Sequence, residues 1–233
     1  EDVVAHTPSG FLKTYRSGSN ITLWESIDVL SGSVLEFGNA TSGARCYLAV
    51  KGGVDVPIVL GSRSTYLMGG FGGFAGRALN VGDNINILSD DTQPVRRKLP
   101  QEHVPVYKRN HIIRVIMGPQ DEYFMEEGIR NFLDGEYRIG NQSDRMGYRL
   151  SGPNIEHKSS ADIVSDAVPL GAIQVPGDGQ PIILMTDRGP TGGYAKIAVV
   201  ISADIYKLAQ AFPGDVVSFQ NVTLEDAYMA SDK

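Results

Sequence analysis

Residues 171–201 read GAIQVPGDGQPIILMTDRGPTGGYAKIAVVI, and three five-residue strand-like runs stand out in them, at 171–175, 181–185 and 197–201. Runs of that length, rich in Ile, Val and Leu and bounded by Gly, Pro and Asp, are buried strands in sequence form. They are too short for helices, and the PGDG segment between the first two is a turn. Further strand-like runs lie at 20–24, 33–37, 44–51, 84–88, 111–116 and 216–220. Glycine makes up 27 of 233 residues, about 12%, against a typical usage of roughly 7%. Many short strands punctuated by Gly and Asp predict a mainly β chain built as a barrel or sandwich.

Helices are few. Residues 125–133 place Ile129, Phe132 and Leu133 on one face. A second helix is expected from an N-cap at Ser202, with Ile205, Leu208, Ala209 and Phe212 at helical spacing, ending at Pro213-Gly214. Both are short and amphipathic, suited to covering a sheet. Residues 89–105, SDDTQPVRRKLPQEHVP, are polar, lack apolar periodicity and hold three prolines. They divide the chain into an N-terminal β unit (1–89), a linker (90–105) and a C-terminal β unit (106–233).

Apolar residues at 42% and charged residues at 21% are the balance of a soluble globular protein. The apolar runs fall far short of the ~20 residues that cross a bilayer, and no signal peptide opens the chain. A net charge of −6 argues against a nucleic-acid partner. The basic cluster Arg96-Arg97-Lys98 reads as a solvated linker. A single cysteine, Cys46, sits in a strand-like run and reads as a buried structural thiol. Together these features indicate a reducing, cytoplasmic location. Four Asn-x-Ser/Thr triplets, at Asn20, Asn39, Asn141 and Asn221, are coincidental in that setting.

Two segments are rich in groups that do chemistry. Residues 69–77, GGFGGFAGR, satisfy a dinucleotide-loop pattern mechanically, but no βαβ context surrounds them and no Gly-Lys-Ser/Thr follows. A tight glycine-built loop is the plain reading, and a ligand-lining loop the sharper one. Arg63 and Arg77 flank it as planar forks for a carboxylate or phosphate, or as partners of a structural acid. In residues 171–196, Gln174 and Gln180 offer amide donors and acceptors suited to a urea- or lactam-like group. Asp187 is placed to act as a base or to orient Lys196, and Lys196 to neutralise a developing oxyanion. Two hairpins with polar turns explain the same segment without chemistry. His6, His103, His111 and His157 show no metal-ligand spacing, and no Gly-x-Ser-x-Gly elbow is present.

Several motifs resemble, in order, those of the KipA-like (allophanate hydrolase subunit 2) family. They are residues 61–66 (GSRSTY), 69–77, 118–121 (GPQD), 143–150 (SDRMGYRL), 161–166 (ADIVSD), 171–181 and 191–198 (TGGYAKIA), with the ending 208–219. The resemblance implies two cyclophilin-like β-barrel subdomains, related to the carboxyltransferase region of urea carboxylase. Members begin with a further segment, so the N-terminal barrel is expected to be incomplete here. In the 5-oxoprolinase branch such a polypeptide is the C component and acts with a KipI-like B component and an A component. Together they open the 5-oxoproline lactam to glutamate, with ATP consumed by the complex, and the C component is inactive alone. In the urea carboxylase branch the reaction moves a carboxyl group from biotin to urea. A third role implied by the family is regulatory, as a non-catalytic partner of a KipI-like kinase inhibitor. Residues 174–180 and 143–147 resemble the stand-alone, 5-oxoprolinase type. On this reading the expected site has Lys196 and Asp187 as catalytic residues and Gln174, Gln180, Arg188, Tyr194 and Arg63 as small-amide binders, with no metal. The family's usual Arg-Gln-Thr-Thr-Gly-Gly-Tyr stands here as RGPTGGY at 188–194, a loss of one glutamine side chain that bears on ligand preference.

Overall fold

The computed structural model describes residues 2–6, 12–14, 19–93 and 95–231. Two compact units divide the chain, with Val106 opening the main run of the second and residues 42–44 packing with that second unit.

In the first unit, short strands form separate small sheets. Strands β1 (Asp2–His6), β4 (Ser26–Asp28) and β6 (Tyr47–Val50) form one sheet in the order β4-β1-β6. A second comprises β2 (Leu12–Thr14), β3 (Ser19–Ile21) and β5 (Leu35–Phe37), and β7 (Thr65–Tyr66) pairs with β8 (Phe71–Gly72). No barrel closes among the described residues of this unit. The strand expected at 84–88 is reduced to a single bridge, Val54 to Ile87. Cys46 is exposed, not buried, because it precedes an edge strand whose Tyr47 and Leu48 also face solvent. The glycine loop is tight: a Cβ on Gly76, whose φ is +68°, would lie 2.1 Å from the Gly70 carbonyl oxygen. Arg77 lies over the Phe74 ring and grips Asp83 through both terminal nitrogens, at 2.7 and 2.8 Å. That fork is committed, and its hydrogen bonds hold the Asp83 carboxyl down at about 2.

The second unit is a closed seven-stranded barrel in the order β10-β11-β14-β13-β16-β9-β17. Its strands are β9 (Asn110–Met117), β10 (Glu136–Ile139), β11 (Gly147–Ser151), β13 (Ala172–Gln174), β14 (Ile182–Leu184), β16 (Lys196–Val200) and β17 (Val216–Asn221). All neighbours are antiparallel except β9 and β17, whose parallel pairing completes the closure. Closure removes the exposed edges that a short open sheet would present. Alternation selects the interior: Ile113 and Val115, Tyr137 and Ile139, Tyr148 and Leu150, and Val217 and Phe219 are buried while their neighbours face outward. Outside the barrel, β12 (Asp162–Ala167) and β15 (Thr191–Tyr194) form a two-stranded ribbon.

Helix α1 (Glu126–Asp134) brings Phe132 onto Phe219, with ring centroids 4.4 Å apart. The Tyr137 hydroxyl is buried beneath it, 3.1 Å from both the Asn131 and Pro153 carbonyls, and burial pushes its ionisation well above the usual phenol range. The second expected helix divides into a 3-10 turn at Ser202–Asp204 and α2 (Ile205–Ala209). Phe212 lies beyond it and is exposed. A third helix, α3 (Leu224–Ser231), has no counterpart in the sequence reading. No helix among the described residues is long and apolar enough to cross a membrane.

Candidate functional site

Strand β16 carries an irregularity where it meets β13. Ile173 pairs with Ala198, but the next residue, Gln174, pairs with Lys196, so Ile197 is an extra residue on β16. A bulge of this kind bends the strand and re-aims its side chains. Here it sets Lys196 directly across from Gln174 at the end of the barrel wall.

Lys196 is only 2% exposed. A buried ammonium is tolerated when it is paired and hydrogen-bonded, and its Nζ donates to Asp166 Oδ2 at 2.9 Å. Asp166 comes from the ribbon strand β12, where it pairs with Gly192 of β15. Its side chain is 50% exposed, so the pair has a buried cation beneath a solvent-facing carboxylate. The Lys196 hydrogen bond and the Ala167 N–H hold the Asp166 carboxyl below its ordinary range.

Two glutamines complete the cluster. Gln120 accepts the Lys196 backbone N–H at 3.2 Å and extends its amide nitrogen to within 3.5 Å of Asp166 Oδ2. Gln174, 6% exposed, donates from Nε2 to the Tyr194 carbonyl at 3.2 Å. Gly192 leaves room for that amide, since a Cβ there would lie 2.6 Å from Gln174 Nε2.

Of the residues singled out from the sequence, the second unit gathers Lys196, Gln174 and the Tyr194 backbone in one place. Asp187 does not orient Lys196. Its backbone N–H and its carboxylate both go to Arg145, at 2.8 and 2.9 Å, and Asp166 takes the lysine instead. Gln180 uses both ends of its amide on the backbone of Gly152, at 2.9 and 3.4 Å, and serves that turn. Arg188 braces its own loop, donating to the Val168 and Met185 carbonyls. Tyr194 keeps its ring exposed. Arg63 belongs to the first unit, where it is exposed.

Asp166 and Gln120 escape the sequence reading as site residues. Both fall inside motifs that carry the family resemblance, but no spacing rule links positions 120 and 166 to position 196. No group of three or more His, Cys, Asp or Glu among the described residues is placed to hold a metal. An open groove of about 870 Å³ in the second unit runs past Arg114, Tyr206 and Met229 and contains none of these residues.

Barrel, bulge and buried ion pair together define a β-barrel domain with a polar, amide-lined site built around a buried lysine. The chain belongs to the carboxyltransferase domain family, subdomain A and B, which matches residues 3–221. It is 38% identical over 200 residues to the C component of the 5-oxoprolinase of Escherichia coli, covering 86% of this chain and 63% of that protein. It is 33% identical over 244 residues to the urea amidolyase of Saccharomyces cerevisiae, covering 97% of this chain and 13% of that one. The crystal structure of the Kluyveromyces lactis urea amidolyase superimposes with a TM-score of 0.90 at 30% identity, over 99% of this chain and 15% of that chain. The chain thus spans about two-thirds of the length of the bacterial relative and a small part of the yeast enzymes.

Proposed function

We propose that this chain is the C-type component of an ATP-dependent 5-oxoprolinase assembly, which opens the 5-oxoproline lactam to glutamate together with a KipI-like B component and an A component. The observation that carries this reading is the buried Lys196, ion-paired to Asp166 and framed by Gln120 and Gln174. Both amide and lactam chemistry build negative charge on the carbonyl oxygen when the nitrogen loses its proton or the carbon is attacked. An ionised carboxylate can hold the N–H of such a group while the carbonyl reacts, and the buried ammonium keeps the Asp166 carboxylate ionised and in place. The similarity to a bacterial 5-oxoprolinase component supports this substrate class. ATP would be handled by the complex as a whole.

The test is ATP-dependent release of glutamate from 5-oxoproline by the reconstituted assembly, with this chain added and omitted. Activity that requires the chain supports the reading, whereas equal activity without it removes the chain from the reaction. In that assembly Lys196→Ala is expected to lower turnover, because the Asp166 carboxylate loses the ammonium that fixes it.

The close superposition on a urea amidolyase favours a second reading, transfer of a carboxyl group from biotin to urea or a related amide. That reaction requires a biotinylated partner, so turnover that persists when biotin is sequestered by avidin excludes it.

A further inference from the structure

We propose that Asp166, not Lys196, is the group that touches the ligand, accepting an N–H from an amide or ureido molecule, and that Lys196 is its positioning residue. The inference rests on the amide-directed reading above and assigns the contacts within the same site.

Exposure separates the two partners. The Lys196 side chain is 2% exposed and that of Asp166 is 50% exposed. A molecule arriving from solvent therefore meets the carboxylate first and reaches the ammonium only by displacing it. The carboxylate also has capacity left. An ionised carboxylate offers about four acceptor positions. Oδ1 accepts the Ala167 N–H at 2.7 Å, and Oδ2 accepts Lys196 Nζ at 2.9 Å with the Gln120 amide at the edge of hydrogen-bonding distance, 3.5 Å. One of the four remains, on a side chain that is half exposed to solvent.

The surroundings suit an acceptor and not a base. Lys196 is the charged group in contact with the carboxylate, and the other two contacts, Gln120 and the Ala167 N–H, are neutral donors. Every one of these favours the ionised form. Such a group stays an acceptor well below neutral pH and takes a proton poorly, so its work is to hold an N–H and not to remove it. The ligand class follows: a molecule with an N–H beside a carbonyl, as in a lactam or a urea.

The ligand test uses the full chain and two N–H probes, 5-oxoproline and urea, with N-methyl-5-oxoproline as the probe lacking the N–H. Binding is followed through the backbone amide NMR signals of Gly192, Gly193 and Ala195. Saturable shifts are expected from an N–H probe, with none from the N-methyl lactam. Asp166→Asn should weaken that binding by at least tenfold. Because Asp166→Asn leaves a buried ammonium unpaired and can impair folding, the double variant Asp166→Asn/Lys196→Met, which removes both charges, is measured beside it and should be equally weak. Lys196→Met alone should bind more weakly, since the carboxylate is no longer held, and should lose binding at a higher pH than the wild type, as the carboxyl returns toward its ordinary range. Undiminished binding in the folded Asp166 variants, no response to either N–H probe, or an unchanged pH limit in Lys196→Met each overturns the assignment. Turnover separates the two ideas. An inactive wild-type assembly whose isolated chain still binds through Asp166 sinks the 5-oxoprolinase reading alone. An active assembly indifferent to Asp166→Asn sinks this inference alone.

Discussion

At Gly192 a Cβ would meet Gln174 Nε2 at 2.6 Å and Val168 Cγ2 at 3.1 Å. Gly192→Ala must therefore push the Gln174 amide off the Tyr194 carbonyl. We expect a loss of about 1–3 kcal/mol, the usual cost of overpacking, seen as a lower urea midpoint. Asp204 acts on stability in a different way. It is wholly buried. Burial pushes its carboxyl upward, but hydrogen bonds from the Arg114 side chain and backbone and from Lys207 outweigh it and leave the group below its ordinary range. A carboxyl with a lower value folded than unfolded stabilises the fold fully above the unfolded value, roughly 3.9, and loses that contribution as pH falls through the folded one. The wild-type denaturation midpoint should thus drop steeply below about pH 4, and Asp204→Asn should be less stable at neutral pH with a shallower acid slope. Equal acid slopes in the two proteins would refute that account.

Among the elements, helix α1 illustrates packing overriding propensity. Gly128 is buried within it, and a Cβ there would lie 2.8 Å from the backbone N and O of Glu156. Alanine in a helix interior gains roughly 1 kcal/mol over glycine. Backbone cannot move aside as a side chain can, so Gly128→Ala should destabilise the protein by about 1–3 kcal/mol; a raised melting temperature would contradict it. Strand legibility follows the same logic. β9, β13, β14, β16 and β17 are readable as apolar runs because both their faces meet packed structure or their inner residues are strongly β-branched. β10 and β11 are not, because Arg138 and Arg149 interrupt four- and five-residue segments whose alternate side chains face solvent. β15, with the sequence TGGY, reads as a loop, since two adjacent glycines signal a turn unless a partner strand is known.

For the whole molecule, the apolar core cluster lies in the second unit, from Ile113 to Phe219, with α1 and α2 packed against it. A chain segment of 128 residues with its own closed barrel has the size and core of an independent domain. Residues 106–233 expressed alone should therefore unfold cooperatively in urea and retain dispersed NMR signals. A fragment without a cooperative transition would show that the barrel depends on the rest of the chain. Lys196, Asp166, Gln120 and Gln174 all lie in this unit, so the N–H-ligand binding assigned to Asp166 is expected to survive in the fragment.

Local pattern suffices for the β class, the main barrel strands, and Lys196 and Gln174 as polar residues within an apolar strand region. Runs of β-branched residues, the turn residues between them and a charged side chain beside an apolar strand are all short-range features. Which acid meets the lysine is a matter of the fold alone. Asp187 is nine residues away in the chain and is the natural partner by spacing, but its turn directs it toward Arg145. Asp166 lies thirty residues away and is brought over Lys196 by the pairing of β12 with β15, while the bulge at Ile197 turns the lysine to meet it. Ion-pair energy falls with distance in space and is indifferent to separation along the chain, so strand register, and not sequence spacing, fixes the site.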